Sequence, residues 1–256
     1  MVLSKNEIKR IRSLSQKKFR DETGLFVCEG EKLVAEAVAS GFRVENVYYR
    51  DEIGEEAMSR ISGLSTPSPV LAVVGMPSGR GAVTPEKALE IIRKQDRSMS
   101  VPPLFLGLDG IHDPGNAGTI IRIADWFGIN AVFASSGTVD IYSPKVVQAT
   151  MGAVFRVKFH YTGLETLCSL LQQEGIPVFG TFLDGENIYG ADLAADGPAM
   201  VVMGSESDGI SRETARHTDR KLFIPSFGDS GSESLNVAVA AAISCSEFRR
   251  RCSGAR

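Results

Sequence analysis

Cysteine and histidine are scarce in this chain, with four Cys and three His among 256 residues. Cys28, Cys168, Cys245 and Cys252 are too scattered for a metal cluster or a disulfide framework. Cys245 and Cys252, a heptad apart on an expected helix, read as packing residues. No histidine has a partner at metal-ligand spacing, so no metal is expected. No apolar run reaches membrane length, and the N-terminus is charged from Lys5 onward rather than leader-like. The expected compartment is a reducing cytoplasm. Phosphate fingerprints are missing too: neither a Gly-Lys-Ser/Thr ending nor a G-x-G-x-x-G run occurs. No serine of 204–209 has glycine at both second neighbours, which excludes the nucleophile elbow of hydrolases. No internal repeat is evident.

What the chain does hold is a formal charge of −3 with a basic start. The overall charge argues against wholesale polyanion binding. Yet Lys5, Lys9, Arg10, Arg12, Lys17, Lys18 and Arg20 meet only one acid, Glu7, within residues 1–20. Such a cluster can lower the cost of approaching phosphates. A solvated helix face is the competing reading.

Residues 1–95 read as a small α/β unit. A basic helix is expected over 4–20, a strand over 25–28, a helix over 30–40 stopped by Gly41, strands over 44–49 and 70–75, and a closing helix over 85–93. Residues 96–103 are polar, Pro-bearing and aperiodic, and read as a linker. From 104 to 256 strand and helix alternate, the signature of a parallel sheet. Strands are expected at 104–108, 131–134, 154–159, 178–181, 200–203 and 222–224. Helices are expected at 118–127, 144–151, 164–174 and 234–250, with a short one after Ser211. Continuous apolar strands such as 199–203 suit a sheet covered on both faces.

Three polar loops follow strands and so fall at the carboxyl end of that sheet, where ligands bind. The first, Asp109–Gly118, holds the turn Asp113-Pro-Gly-Asn116. Asn116 could cap the helix that follows. On that helix Ala117, Ile120, Ile121 and Ala124 form the buried stripe, and Arg122 lies on another face, four residues from Trp126. Arg122 could stack on Trp126 or stand as a fixed cation for phosphate or ribose oxygens. The second loop, Gly204–Gly209, carries Glu206, a possible partner for Arg122, and glycines that permit close backbone approach. The third puts Ser234 and Asn236 at the mouth of the apolar run 237–243. A helix start there offers free amides and a positive dipole end to a ligand. Ile224 and Leu235 flank these polar groups and could sandwich a flat base, with ordinary packing as the alternative.

Taken together, Leu108–Ala124, Val202–Ser211, Ile224–Gly228 and Glu233–Ala240 resemble the three motifs of the SpoU (TrmH-type) branch of the SPOUT RNA methyltransferases. The match covers about 104–250. Residues 20–30 also resemble the small α/β RNA-binding domain that often precedes it. The resemblance implies an α/β fold whose C-terminal parallel sheet carries helices on both faces and a deep trefoil knot, a rare exception to unknotted topology. It implies S-adenosylmethionine as methyl donor, a ribose 2′-hydroxyl of structured RNA as acceptor, with rRNA favoured over tRNA, and a homodimer. Gly204, Ile224 and Leu235 would contact the cofactor, with Thr181 at its edge. Asn116, Arg122, Glu206, Ser234 and Asn236 fall on the family's catalytic positions. Arg122 would also touch RNA, and Lys17, Lys18 and Arg20 become the candidate docking surface for it.

Methyl transfer from a sulfonium is an in-line displacement, so the protein's tasks are alignment and raising the nucleophilicity of a weakly acidic hydroxyl. Arg122 is expected to stabilise the developing alkoxide, since arginine stays protonated, with general-base action as the other option. Glu206 would orient it, and Ser234 and Asn236 would position ribose or phosphate. One departure stands in the second motif. Ser207 and Asp208 follow Glu206, where Gly or Ala is more usual after the glutamate. The competing functional class is a non-catalytic RNA-binding or ribosome-assembly factor on the same fold, which loss of motif residues would signal. None of the five is lost. An unrelated nucleotide-binding α/β enzyme would rest on the alternation of strands and helices alone.

Overall fold

The computed structural model describes residues 3–77, 82–95, 101–193, 197–228 and 234–252. The chain begins with α1 (Lys5–Ser13), α2 (Lys17–Thr23), β1 (Leu25–Glu29), α3 (Glu31–Ala39), β2 (Val44–Tyr49), α4 (Arg50–Ile53), α5 (Glu55–Ile61) and β3 (Val70–Gly75). It continues with α6 (Pro85–Arg93), β4 (Leu104–Asp109), α7 (Pro114–Trp126), β5 (Ala131–Ala134), α8 (Pro144–Thr150) and β6 (Phe159–Tyr161). The last elements are α9 (Leu164–Gln173), β7 (Val178–Asn187), β8 (Ala199–Gly204), α10 (Arg212–Ala215), β9 (Arg220–Phe223) and α11 (Val237–Cys252).

Contacts divide the chain into two compact units, one of residues 1–80 with 140–156 and one of 81–139 with 157–256. The small unit is a three-stranded antiparallel sheet in the order β1-β3-β2. Ile8 and Ile11 of α1 and Met58 and Ile61 of α5 close over Leu25, Tyr48, Leu71 and Val73 to form its core. The expected single basic helix is two helices. Hydroxyls of Ser13 and Ser15 bond back to the carbonyls of Arg10 and Arg12, which competes with helix continuation. A new helix then starts after Gln16. The helices α4 and α5 had no counterpart in the sequence reading.

The segment 140–156 belongs to this small unit, not to the sheet that precedes and follows it in sequence. Helix α8 packs on β1, and Phe26 lies 4.9 Å from Tyr142 and 6.1 Å from Phe155 between ring centroids. Phe42 meets Phe155 edge-on at 5.1 Å. This corrects the strand expected at 154–159. Met151 and Gly152 both take positive φ (50° and 97°) and turn the chain. A 3-10 turn at Ala153–Phe155 then buries Val154 and Phe155, and the strand begins only at Phe159.

The large unit is a six-stranded, fully parallel sheet in the order β6-β5-β4-β8-β7-β9. Its strands β4, β5 and β8 are buried at every position, as their continuous apolar character requires. Helix α6 packs on α9 in this unit, around Leu89, Ile92, Leu167 and Leu171, although the sequence placed 85–93 at the end of the first domain. Of the expected linker, 96–100 lie outside the described residues. Among the described residues no helix is long and apolar enough to cross a membrane.

Candidate active site

Strands β4 and β8 are neighbours, and their last residues Asp109 and Gly204 are register partners. The first two polar loops therefore leave the sheet side by side. Asp109, buried at 9% exposure, accepts a hydrogen bond from the Ser211 amide at 2.9 Å and so ties the first loop to the end of the second. The sequence reading missed this role, although an acid closing an apolar strand is visible in the motif itself. On the other side, Thr138 accepts from the Ile111 amide at 3.3 Å and donates to the Leu108 carbonyl at 3.1 Å.

The helix after the first loop starts at Pro114, earlier than expected, and its cap is Asp113, whose carboxylate accepts from the Asn116 amide at 2.7 Å. Asn116 is thereby released from the capping role, and its side chain points elsewhere. Its Nδ2 donates to Glu206, and its Oδ1 accepts from Asn236 Nδ2 at 2.9 Å. The relay Asn236–Asn116–Glu206 joins one residue from each of the three motifs. Asn236 also caps α11: its Oδ1 accepts from the Ala238 and Val239 amides at 2.9 and 3.3 Å. Its orientation is thus set from two sides. Helix α11 begins at Val237, so Ser234 and Leu235 precede it rather than lie on it. Residues 229–233 of the third motif lie outside the described residues.

The second loop is a closed turn. Ser205 and Gly209 exchange backbone hydrogen bonds at 3.0 Å each, and the Ser205 hydroxyl accepts from the Asp208 amide at 3.0 Å. A Cβ on Gly204 would sit 2.1 Å from the Gly209 carbonyl carbon, so only glycine closes this turn. The unusual pair Ser207 and Asp208 is accommodated by a 2.5 Å hydrogen bond from the serine hydroxyl to the aspartate. Glu206 stands exposed at the tip.

Arg122 does not pair with Glu206. Six residues beyond Asn116 it lies roughly 240° around α7 and about 9 Å along it. Among the described residues it has no hydrogen-bond or ion-pair partner, and it makes no ring contact with Trp126, which is 85% exposed. The Thr181 hydroxyl is engaged by the Val202 carbonyl at 3.1 Å. Ile224 is half-buried just past β9, and Leu235 is half-exposed.

At the other candidate surface the basic cluster divides. Lys17 and Lys18 are exposed and pair weakly along α2 with Asp21 and Glu22. Arg20 is 2% exposed. Its guanidinium meets Asp140 at 2.7 Å and donates to the carbonyls of Leu14 and Ser15, both at 2.8 Å. Arg20 is accordingly removed from the docking surface: it is an internal tie of the small unit. Burial pushes the Cys28, Cys168 and Cys245 thiols up to about 12, so these are inert packing groups. Among the described residues no three His, Cys, Asp or Glu side chains are grouped to hold a metal ion.

Comparison with known proteins reaches the same region. A model of the SpoU rRNA methylase family matches residues 103–246, and one of the MRM3-like substrate binding domain matches 5–72. A 23S rRNA (guanosine(2553)-2′-O)-methyltransferase of Bacillus subtilis is 33% identical over 94% of this chain and 95% of its own. A solved structure from Porphyromonas gingivalis, described as a TrmH-family RNA methyltransferase, is 40% identical with a TM-score of 0.82, covering 97% of this chain and 99% of the other. An AdoMet-bound rRNA methyltransferase from Sinorhizobium meliloti is 29% identical with a TM-score of 0.80 over 98% of each chain. With its three motifs brought together at one end of a parallel sheet, the chain belongs to the SpoU (TrmH-type) family of RNA methyltransferases.

Proposed function

We propose that the protein transfers a methyl group from S-adenosylmethionine to a ribose 2′-hydroxyl of structured RNA, with ribosomal RNA favoured over transfer RNA. The observation that carries this reading is the relay Asn236–Asn116–Glu206, which gives three motifs distant in sequence one geometric purpose. The residues around it fit the cofactor. The Gly204 turn leaves backbone without a side chain beside it, and Ile224 and Leu235 keep apolar surface uncovered near the strand ends, as an adenine ring requires. Thr181 would supply shape rather than its hydroxyl proton. When bound, S-adenosylmethionine supplies a methyl group on a sulfonium with a neutral thioether as leaving group.

The chain's own residues then align and polarise the acceptor. Asn116 and Asn236, each held by a second hydrogen bond, orient the ribose, with Ser234 beside them for ribose or phosphate. Glu206 fixes the amide of Asn116 rather than Arg122. Arg122, exposed and cationic, offers its charge to the 2′-oxygen as the hydroxyl proton passes to solvent water and negative charge develops there, ahead of that oxygen's bond to the donated methyl group. Arg122→Ala should lower methyl transfer to unmodified 23S rRNA by about 100-fold or more, with S-adenosylmethionine affinity kept. Undiminished transfer removes the assigned role. The non-catalytic alternative predicts RNA binding without transfer in the unaltered protein.

The same reading extends to a trefoil knot in the large unit and to a homodimer in the cytoplasm. Trp126 on α7 and Val239 on α11, 85% and 47% exposed, support a self-association surface on two packed helices. Trp126→Glu should yield monomers by light scattering. A dimer of unchanged stability places the interface elsewhere.

A further inference from the structure

A cavity of about 630 Å³ lies within the small unit, and none of the three motif loops lines it. Volumes of roughly 300–1,000 Å³ are those of ligand sites. Its apolar walls include Val27, Ile61 and Ala149, and its polar lining includes Arg12, Lys145 and Glu29. One side is α1 and the end of α5, and the other is α8, so the cavity exists only because 140–156 folds onto the small unit.

Cations of the small unit fall into two groups, those paired with acids and those with no acid partner among the described residues. Many exposed cations are paired with acids: Arg10 with Glu45, Lys17 with Asp21, Lys18 with Glu22. Arg12 and Lys145 are exposed, approach the cavity from different helices, and have no acid partner among the described residues. The one carboxylate of the lining, Glu29, is 5% exposed. It is held by the Ser62 hydroxyl at 2.5 Å and by the Gly63 and Ser68 amides, both at 3.1 Å. Fixed by three donors, it cannot swing out to neutralise the cations. It can still accept from an N–H on the edge of a base. Apolar walls, a fixed acceptor and two free cations form a surface complementary to one nucleotide: a flat base, its polar edge and its flanking phosphates.

We propose that this cavity takes a single unstacked nucleotide of the RNA substrate, with the base between the apolar walls and the phosphates at Arg12 and Lys145. This rests on the reading of the protein as an RNA methyltransferase. It gives the small unit a specific task, because RNA is read most readily where a base is splayed out of its stack.

The test measures the dissociation constant for an unmodified 23S rRNA transcript across a salt series, using the full chain. Arg12→Ala with Lys145→Ala should weaken binding about tenfold and flatten the salt dependence by roughly 0.7 for each phosphate no longer neutralised. Ala149→Trp fills the cavity without changing charge and should weaken binding severalfold with an unchanged salt slope. Leu64→Glu, at the exposed part of the lining, is the second variant should tryptophan impair folding, and it should weaken binding as well. Wild-type affinity in a folded Ala149→Trp or Leu64→Glu protein overturns the proposal, even if the double alanine variant binds less tightly. The functional reading fails separately. Variants that lose RNA affinity as expected, in a protein that transfers no methyl group, leave the cavity in place and remove the reaction. Methyl transfer with unaltered affinity in every variant does the reverse.

Discussion

Single residues here take roles that their type alone does not reveal. Arg20 and Lys17 sit three apart in one basic run, yet one is an internal tie and the other an exposed cation. The difference is made by Asp140, a residue 120 positions away, which no local pattern announces. Asn116 shows the same point from the other side. The sequence supports it as a helix cap, but Asp113 occupies that place and frees its amide for the relay. Glu247 is a further case, an acid at 5% exposure on α11. The hydrogen bond from Arg250 is the largest cause that holds its carboxyl at about 2; burial opposes it, and Arg251 adds to the lowering. A folded pKa below the ordinary value of 4.5 means that its contribution is complete above that pH and is lost as pH falls toward 2. Glu247→Gln should therefore lose stability at neutral pH and show a flatter decline between pH 4.5 and 2 in acid denaturation.

Among the elements, the pair α7 and α11 carries the site. Asn236 bonds Asn116 at their N-terminal ends, so the helices run parallel. At the other end the Arg249 guanidinium donates to the carbonyls of Phe127 (2.9 Å), Pro102 (2.8 Å) and Gly128 (2.7 Å). Phe127 and Gly128 close α7, where unsatisfied carbonyls and the negative dipole end favour a cation. Arg249→Met keeps much of the apolar stem but leaves those carbonyls without donors. It should cost about 2 kcal/mol, read as a lower melting temperature, and methyl transfer should fall with it because Asn116 rides on the same helix. A variant as stable as the parent would show the clamp to be dispensable. Much at this scale was legible in the sequence. The strands at 44–49, 70–75 and 131–134 and the helix at 85–93 have the expected bounds, because strand alternation and Pro/Gly punctuation are local signals. The turn at 153–155 was not, since Phe155 packs on Phe26 and Phe42 far along the chain, and α7 starts early at Pro114 because Asp113 rather than Asn116 is its cap.

For the whole molecule, an acidic balance coexists with a basic surface that is smaller than the sequence implied. With Arg20 withdrawn, Lys17 and Lys18 remain as the exposed pair on α2. Reversing both to Glu should weaken RNA binding, most steeply at low salt, with folding intact. Unchanged affinity at low salt returns them to a solvated face. The placement of the three loops at one end of the sheet was readable from strand–helix alternation, whereas the interrupted make-up of the small unit was not. Its last wall is encoded some 60 positions after its first stretch ends, between residues 80 and 140. On a ribosome adding about 5–20 residues per second, that wall emerges roughly 3–12 s after the rest of the unit. During this interval Phe26 and Phe42 have each other but await Tyr142 and Phe155, and Arg20 awaits its acid. The N-terminal part of this protein is thus born incomplete, and a nascent chain arrested before residue 140 should be the form most open to proteases and chaperones.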